Sequence, residues 1–221
     1  MSAERSAHQR IHREVGEPCL SAKYENPCRG TPLVVFISCD KLFFSTTNMH
    51  LTYYDLTIPL LAKNLKNVQS VLAKGWEAAQ ASQMSETAFL DQRLAEDMFP
   101  LIKQIQMLTD TAKATPARLT GREMITLEDT ETTVGELNQR IDTVLAHLET
   151  YSPEDFSESA ERKIELKFLE GQFQYGKDYL MDFALPNFFF HCTVAYAIIR
   201  VQGVQIGKID YIGSLSLHPL T

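Results

Sequence analysis

The sequence predicts an all-α domain, a four-helix bundle with a small β-hairpin between its third and fourth helices. Three observations predict it. Four stretches repeat apolar residues at intervals of three and four. One stretch, between the third and fourth of these, repeats them every second residue. The first 48 residues keep neither period.

The first helical stretch carries Tyr54, Ile58, Leu61, Leu65, Val68 and Leu72, with Pro59 in its opening turns and Gly75 as the expected stop. Trp76 would then lie just past the helix, over the bundle end, and a short helix is expected around 86–91. The second stretch runs from about Met98 to Leu119, with Asp97 as the expected cap and Gly121 as the stop; its stripe is Leu101, Ile105, Leu108 and Ala112. The third opens on Thr133-Val-Gly-Glu136, a capping box, and continues with Leu137, Ile141, Val144, Leu145 and Leu148. RKIELKF and QFQYG then alternate polar and apolar residues around a turn at LEG, which predicts a hairpin over about 162–175. The fourth helix is ALPNFFFHCTVAYAIIR, stopping at Gly203; Pro186 either begins it or kinks a longer helix that starts near Asp178.

The patterning divides the chain into three parts. Residues 49–213 are expected to form the bundle domain, and 214–221 a C-terminal tail. Residues 1–48, with Pro18, Pro27 and Pro32, are expected to be a disordered extension or to lie upstream of the native start.

Composition narrows the function. The chain has 221 residues, 44% hydrophobic and 22% charged, which suits one globular domain with a core. Its net charge is −7 and it has no run of Lys and Arg, which argues against nucleic acid and against an anionic membrane surface as partners. No uninterrupted apolar run approaches the ~20 residues that cross a bilayer. Cys192 is the one cysteine after residue 48, and no C-x-x-C pair occurs; this usage fits a reducing, cytoplasmic setting.

The fourth helix raises a chemical question. On a helical wheel, Asn187 and His191 fall one turn apart in the middle of its apolar arc. A buried amide or imidazole left without a partner costs roughly 1–3 kcal/mol, so both need partners. They are either a satisfied structural pair or the polar floor of a pocket in the bundle core. In the second case His191 would be a metal ligand or general base, and Asn187 a hydrogen-bond anchor. Tyr54 and Tyr179 are candidates to place phenols near His191, and Glu131 to turn in as an acid or base. Lys113 and Arg118 are expected to pair with surface acids, and Arg200 with Asp210.

Several stretches carry a resemblance: RLAEDMFPLIKQIQ (93–106), DTAKATPARLTG (110–121), LEDTETTVGEL (127–137), DYLMDFALPNFFFH (178–191) and AYAIIRVQGVQIGKIDYIG (195–213). Together they resemble the DinB/YfiT-like superfamily of small four-helix bundles, which includes metalloenzymes and thiol transferases. The closest likeness is to an uncharacterised subfamily, over about Leu51 to Gly213. The superfamily's last helix carries H-x-x-x-H ahead of an Arg and a Gly. His191 matches the second His and Asn187 stands at the first. The third ligand is a His of the second helix, and this chain has no His between 51 and 146. The resemblance thus implies a degenerate metal site, with His191 the one imidazole, Asp110 the candidate carboxylate and Gln104 beside it. Zn, Ni or Mn is the candidate ion. Two functions are implied: a bundle with no assignable reaction, or a metal-dependent small-molecule (thiol) transferase or hydrolase built around His191. A small-molecule ligand in the core and a homodimer are the expected partners.

Overall fold

The computed structural model describes residues 51–220, so the expected extension over 1–48 and the domain start at Met49 lie outside the described residues. The rest is a helical bundle with one two-stranded hairpin.

Helix α1 spans Ile58–Ala81 and buries the expected stripe of Ile58, Leu61, Leu65, Val68 and Leu72. Pro59 stands in the first turn, where its missing N–H leaves no bond unmade. Gly75 is not the stop. It is a point of close approach: a Cβ there would come within 2.8 Å of Ile199 Cγ2 and 3.0 Å of the Phe89 ring. Packing holds the helix through a residue whose own preference would end it. Trp76 therefore lies inside α1, its ring 5.6 Å from that of Phe89 on the short helix α2 (Glu86–Leu90).

Helix α3 spans Leu101–Thr120 and ends on Gly121, whose φ of 74° is the left-handed stop the sequence suggests. Asp97 does not cap it. The chain turns between Gln92 and Leu101, where Leu101 N–H donates to the Gln92 carbonyl, and Pro100 takes the cap position with no side-chain bond. Helix α4, Val134–Leu148, starts on the predicted capping box, with both the Thr133 and Glu136 bonds in place. Its first N–H is also met by Glu86 Oε1 at 2.8 Å, tying α2 to the head of α4.

Helices α3 and α4 run in the same direction. Arg140 bonds Thr109 at 2.7 Å, and Arg122, just past α3, bonds the Thr150 carbonyl just past α4 at 2.9 Å. Residues 121–133 must therefore return along the length of α3 before α4 can begin. This strap covers a flank of α3 that would otherwise face water, and α3 buries 14 of its 20 residues. An amphipathic stripe of four positions gives no sign of that.

Strands β1 (Lys163–Ile164) and β2 (Gln174–Tyr175) pair antiparallel, Lys163 opposite Tyr175 and Ile164 opposite Gln174. The ladder is shorter than the alternating pattern suggests, and Ile164 and Leu166 are its buried anchors.

The last bundle helix is long and continuous. Helix α5 (Gly176–Asp178) passes through a π-helical segment (Tyr179–Ala184) into α6 (Leu185–Val201). Pro186 would clash with the carbonyl of Asp182 in ideal α geometry, and the wider π turn just before it removes that clash. Joined in this way, Gly176–Val201 becomes a 26-residue helix long and apolar enough to cross a membrane by length and composition, although no uninterrupted apolar run is. In the bundle it packs against α1 and α3, and it carries Lys177, Asp178, Asp182 and Arg200.

Around the bundle, α3 and α1 each pack against both α4 and α6. A last short helix, α7 (Lys208–Ile212), lies on α1. Asp210 there pairs with Lys74, not with Arg200, which instead donates to the Val204 carbonyl at 2.6 Å where the chain turns back.

Candidate functional site

His191 points into the bundle and is 5% exposed. Its Nδ1 lies 2.8 Å from Gln104 Oε1, and Gln104 Nε2 donates to the Phe99 carbonyl at 3.0 Å. With the amide N–H₂ directed at Phe99, Gln104 offers an acceptor, so the proton of the neutral imidazole sits on Nδ1. Burial lowers the imidazole pKa, which favours that neutral form. Nε2 has no hydrogen-bond partner among the described residues.

Asn187 does not join it. Its Nδ2 donates to Thr111 Oγ1 at 2.8 Å, and Thr111 passes its own proton to the Met107 carbonyl at 2.8 Å. Asn187 is half-buried. The two polar residues thus anchor α6 to α3 at two separate heights, His191 beside Gln104 and Asn187 beside Thr111. That pairing makes the two helices antiparallel.

Asp110 faces a different partner. Arg140, whose side chain is 1% exposed, reaches from α4 into the gap between α3 and the strap. Its Nε bonds Thr109, Nη1 bonds Glu131 Oε1 at 2.8 Å and the Glu128 carbonyl at 3.0 Å, and Nη2 bonds Asp110 at 2.7 Å and Asp129 at 3.0 Å. Lys113 adds a second cation to Asp110 at 2.9 Å, and Lys103 one to Asp129. Burial works against the charge on Glu131, but bonds from Arg140 and Gln106 outweigh it and hold its carboxyl below the ordinary range. Asp129 is lowered in the same way against its own desolvation, by Lys103 and Arg140. Both are ionised anchors, so Glu131 is poorly suited to donate a proton at neutral pH.

Sequence reasoning passed over Arg140, although a signal existed. It lies three residues after Leu137 and four before Val144, within the apolar stripe of its helix. A cation at such a position must be paired.

The two tyrosines lie far from His191. Tyr54 packs edge-on to Phe156, with ring centres 5.9 Å apart, near the start of α1. Tyr179 accepts a hydrogen bond from Arg118 at 3.2 Å. Residues 104 and 118 are separated by roughly 21 Å along α3. Lys113 pairs with an acid as expected. Arg118 does not, and no carboxylate reaches it among the described residues.

The donor set does not fit a metal ion. No group of three or more His, Cys, Asp or Glu side chains able to hold one occurs among the described residues. His191 has one free nitrogen, the Gln104 amide is engaged at both its atoms, Asn187 offers only a neutral carbonyl oxygen, and Asp110 is shared by two cations. Cys192 is buried and its thiol is pushed far up, which disfavours a thiolate.

Fold and site together define a helical bundle of the DinB type, with α3 and α4 parallel and an apolar last bundle helix clamped to α3 through His191 and Asn187. The chain belongs to the family described as Domain of unknown function (DUF1993), which matches residues 53–212. A crystal structure of a DinB family member protein from Shewanella denitrificans is similar to it at 39% identity and a TM-score of 0.73, covering 76% of this chain and 95% of that one. No curated protein matches.

Proposed function

We propose that this chain is a metal-independent DinB-like bundle that binds a small molecule, and that the degenerate metal position has become a structural clamp. One observation carries the reading. The stronger donors a metal would need, apart from His191 Nε2, already serve internal bonds, Gln104 to His191 and Phe99 and Asp110 to Arg140 and Lys113, and the Asn187 carbonyl oxygen is a weak neutral ligand. Recruiting Gln104 or Asp110 would break a hydrogen bond or an ion pair within the bundle. Elemental analysis of untagged protein tests this. The expected result is no stoichiometric metal, with His191→Ala losing stability and leaving metal content unchanged. A full equivalent of Zn, Ni or Mn that disappears in His191→Ala would overturn it.

A second reading is favoured by the tautomer of His191. Gln104 orients the ring and leaves a bare Nε2, the arrangement a general base requires. This would be a metal-free hydrolase or transferase. Turnover of an ester or thioester in EDTA, lost in His191→Gln, would support it over simple binding.

A further inference from the structure

We propose that the cleft beside Asn187 binds a small aromatic carboxylic acid, with the carboxylate on Arg118. This deepens the small-molecule reading above and rests on it.

The cleft lies between α3, the head of α6, the strap and the hairpin loop, and its volume is about 270 Å³. Arg118 stands at one end. It is half-buried, one N–H bonds the Tyr179 hydroxyl at 3.2 Å, and its guanidinium carbon lies 5.7 Å from that ring's centre. The other buried cations, Arg140 and Lys113, each hold carboxylates. Arg118 has none among the described residues, in a chain with an excess of acids. Its remaining N–H groups form the planar fork that receives a carboxylate.

The rest of the cleft selects the body of the ligand. Met107, Met124, Phe168 and Phe183 give an apolar wall. The two phenyl rings are tilted, with centres 5.3 Å apart, and Phe168 stays 64% exposed although it is large and apolar. A flat ring laid against them would cover it. Asn187 gives one N–H to Thr111, and its carbonyl oxygen faces no partner among the described residues, so it can accept one N–H or O–H from the ligand. The volume is small for a ligand pocket, which favours a single ring over a nucleotide. Lys113 is committed to Asp110, so a doubly charged phosphate would meet one uncompensated cation and a nearby carboxylate. A hydroxy- or amino-substituted aromatic monoacid satisfies every group.

The experiment is a calorimetric titration of the full chain with 4-hydroxyphenylacetate and, as its uncharged match, 4-hydroxyphenylacetamide, with and without EDTA. The acid is expected to bind saturably and the amide about tenfold more weakly or worse. Arg118→Gln should lose about tenfold in acid affinity, Arg118→Lys should recover part of it, and Phe168→Ala should weaken both ligands. Equal binding of acid and amide, no saturable binding below ~10 mM, or an Arg118→Gln protein that binds normally would each overturn the proposal. Should Arg118→Gln fail to fold, the acid–amide comparison and the exposed Phe168→Ala variant decide alone. Binding that vanishes in EDTA would sink metal independence, while binding in EDTA that ignores Arg118 would sink only the cleft.

Discussion

Arg140 and Glu131 meet at 2.8 Å across the gap between α4 and the strap, and that contact locks a connection that has no regular structure of its own. The same guanidinium holds Asp110 on α3, so one side chain fastens three parts of the fold.

Removing Arg140 should therefore cost more than any surface charge. Arg140→Met would leave the half-buried Glu131 without its cation and Asp129 with Lys103 alone. The expected loss is about 3–5 kcal/mol, read from urea unfolding. A loss below ~1 kcal/mol would show the network to be ornamental.

Acid should release the same latch. Glu131 and Asp129 have folded pKa values below their ordinary 4.5 and 3.8. Their contribution is full above those ordinary values and is lost as pH falls through the lower folded ones. Stability should thus drop below pH 4.5, and Glu131→Gln should flatten that drop in thermal melts taken from neutral pH downward. A melting curve equally steep in the variant would contradict this.

His191 should stay neutral, with its proton on Nδ1, at pH values below its ordinary 6.5. Because the folded pKa is depressed, its contribution is complete above 6.5 and falls as pH drops through the folded value. Long-range nitrogen NMR of the ring reads both the tautomer and the titration. A proton on Nε2, or a midpoint at or above 6.5, would count against the Gln104 clamp.

Gly75→Ala should destabilise although alanine is the better helix former. The added methyl meets Ile199 at 2.8 Å, and overpacking of this kind costs about 1–3 kcal/mol. Pairing it with Ile199→Ala should return part of the loss. If Gly75→Ala proves neutral or stabilising in chemical denaturation, the close approach of α1 and α6 is wrong.

The bundle could be read from its sequence because four helices obey one local rule each. The stripes from Ile58 to Leu72 and from Val134 to Leu148, and the box at Thr133, are all local signals. What escaped was set by tertiary direction. Gly75 looked like a stop because its partner Ile199 is more than a hundred residues away. Asp110 lay on the wrong side of its stripe, and it is partly covered because Arg140 reaches it from the parallel helix α4. Asn187 and His191 sat on one arc, yet α3 meets them at separate heights. Tyr54 and Tyr179 could not be placed without knowing which end of the bundle each occupies.

The parallel pair also sets a length. From Thr120 to Val134 the chain must climb back roughly 25 Å and step sideways one helix width, and thirteen residues reach about 45 Å at full stretch. The tether has slack for only a few residues. Shortening it by five or six would pull Glu131 and Asp129 off their cation before α4 could start, whereas the turns at 82–85 and 165–173 have no such span to cover. Relatives of this protein should vary freely in those turns and hold the tether's residue count nearly fixed.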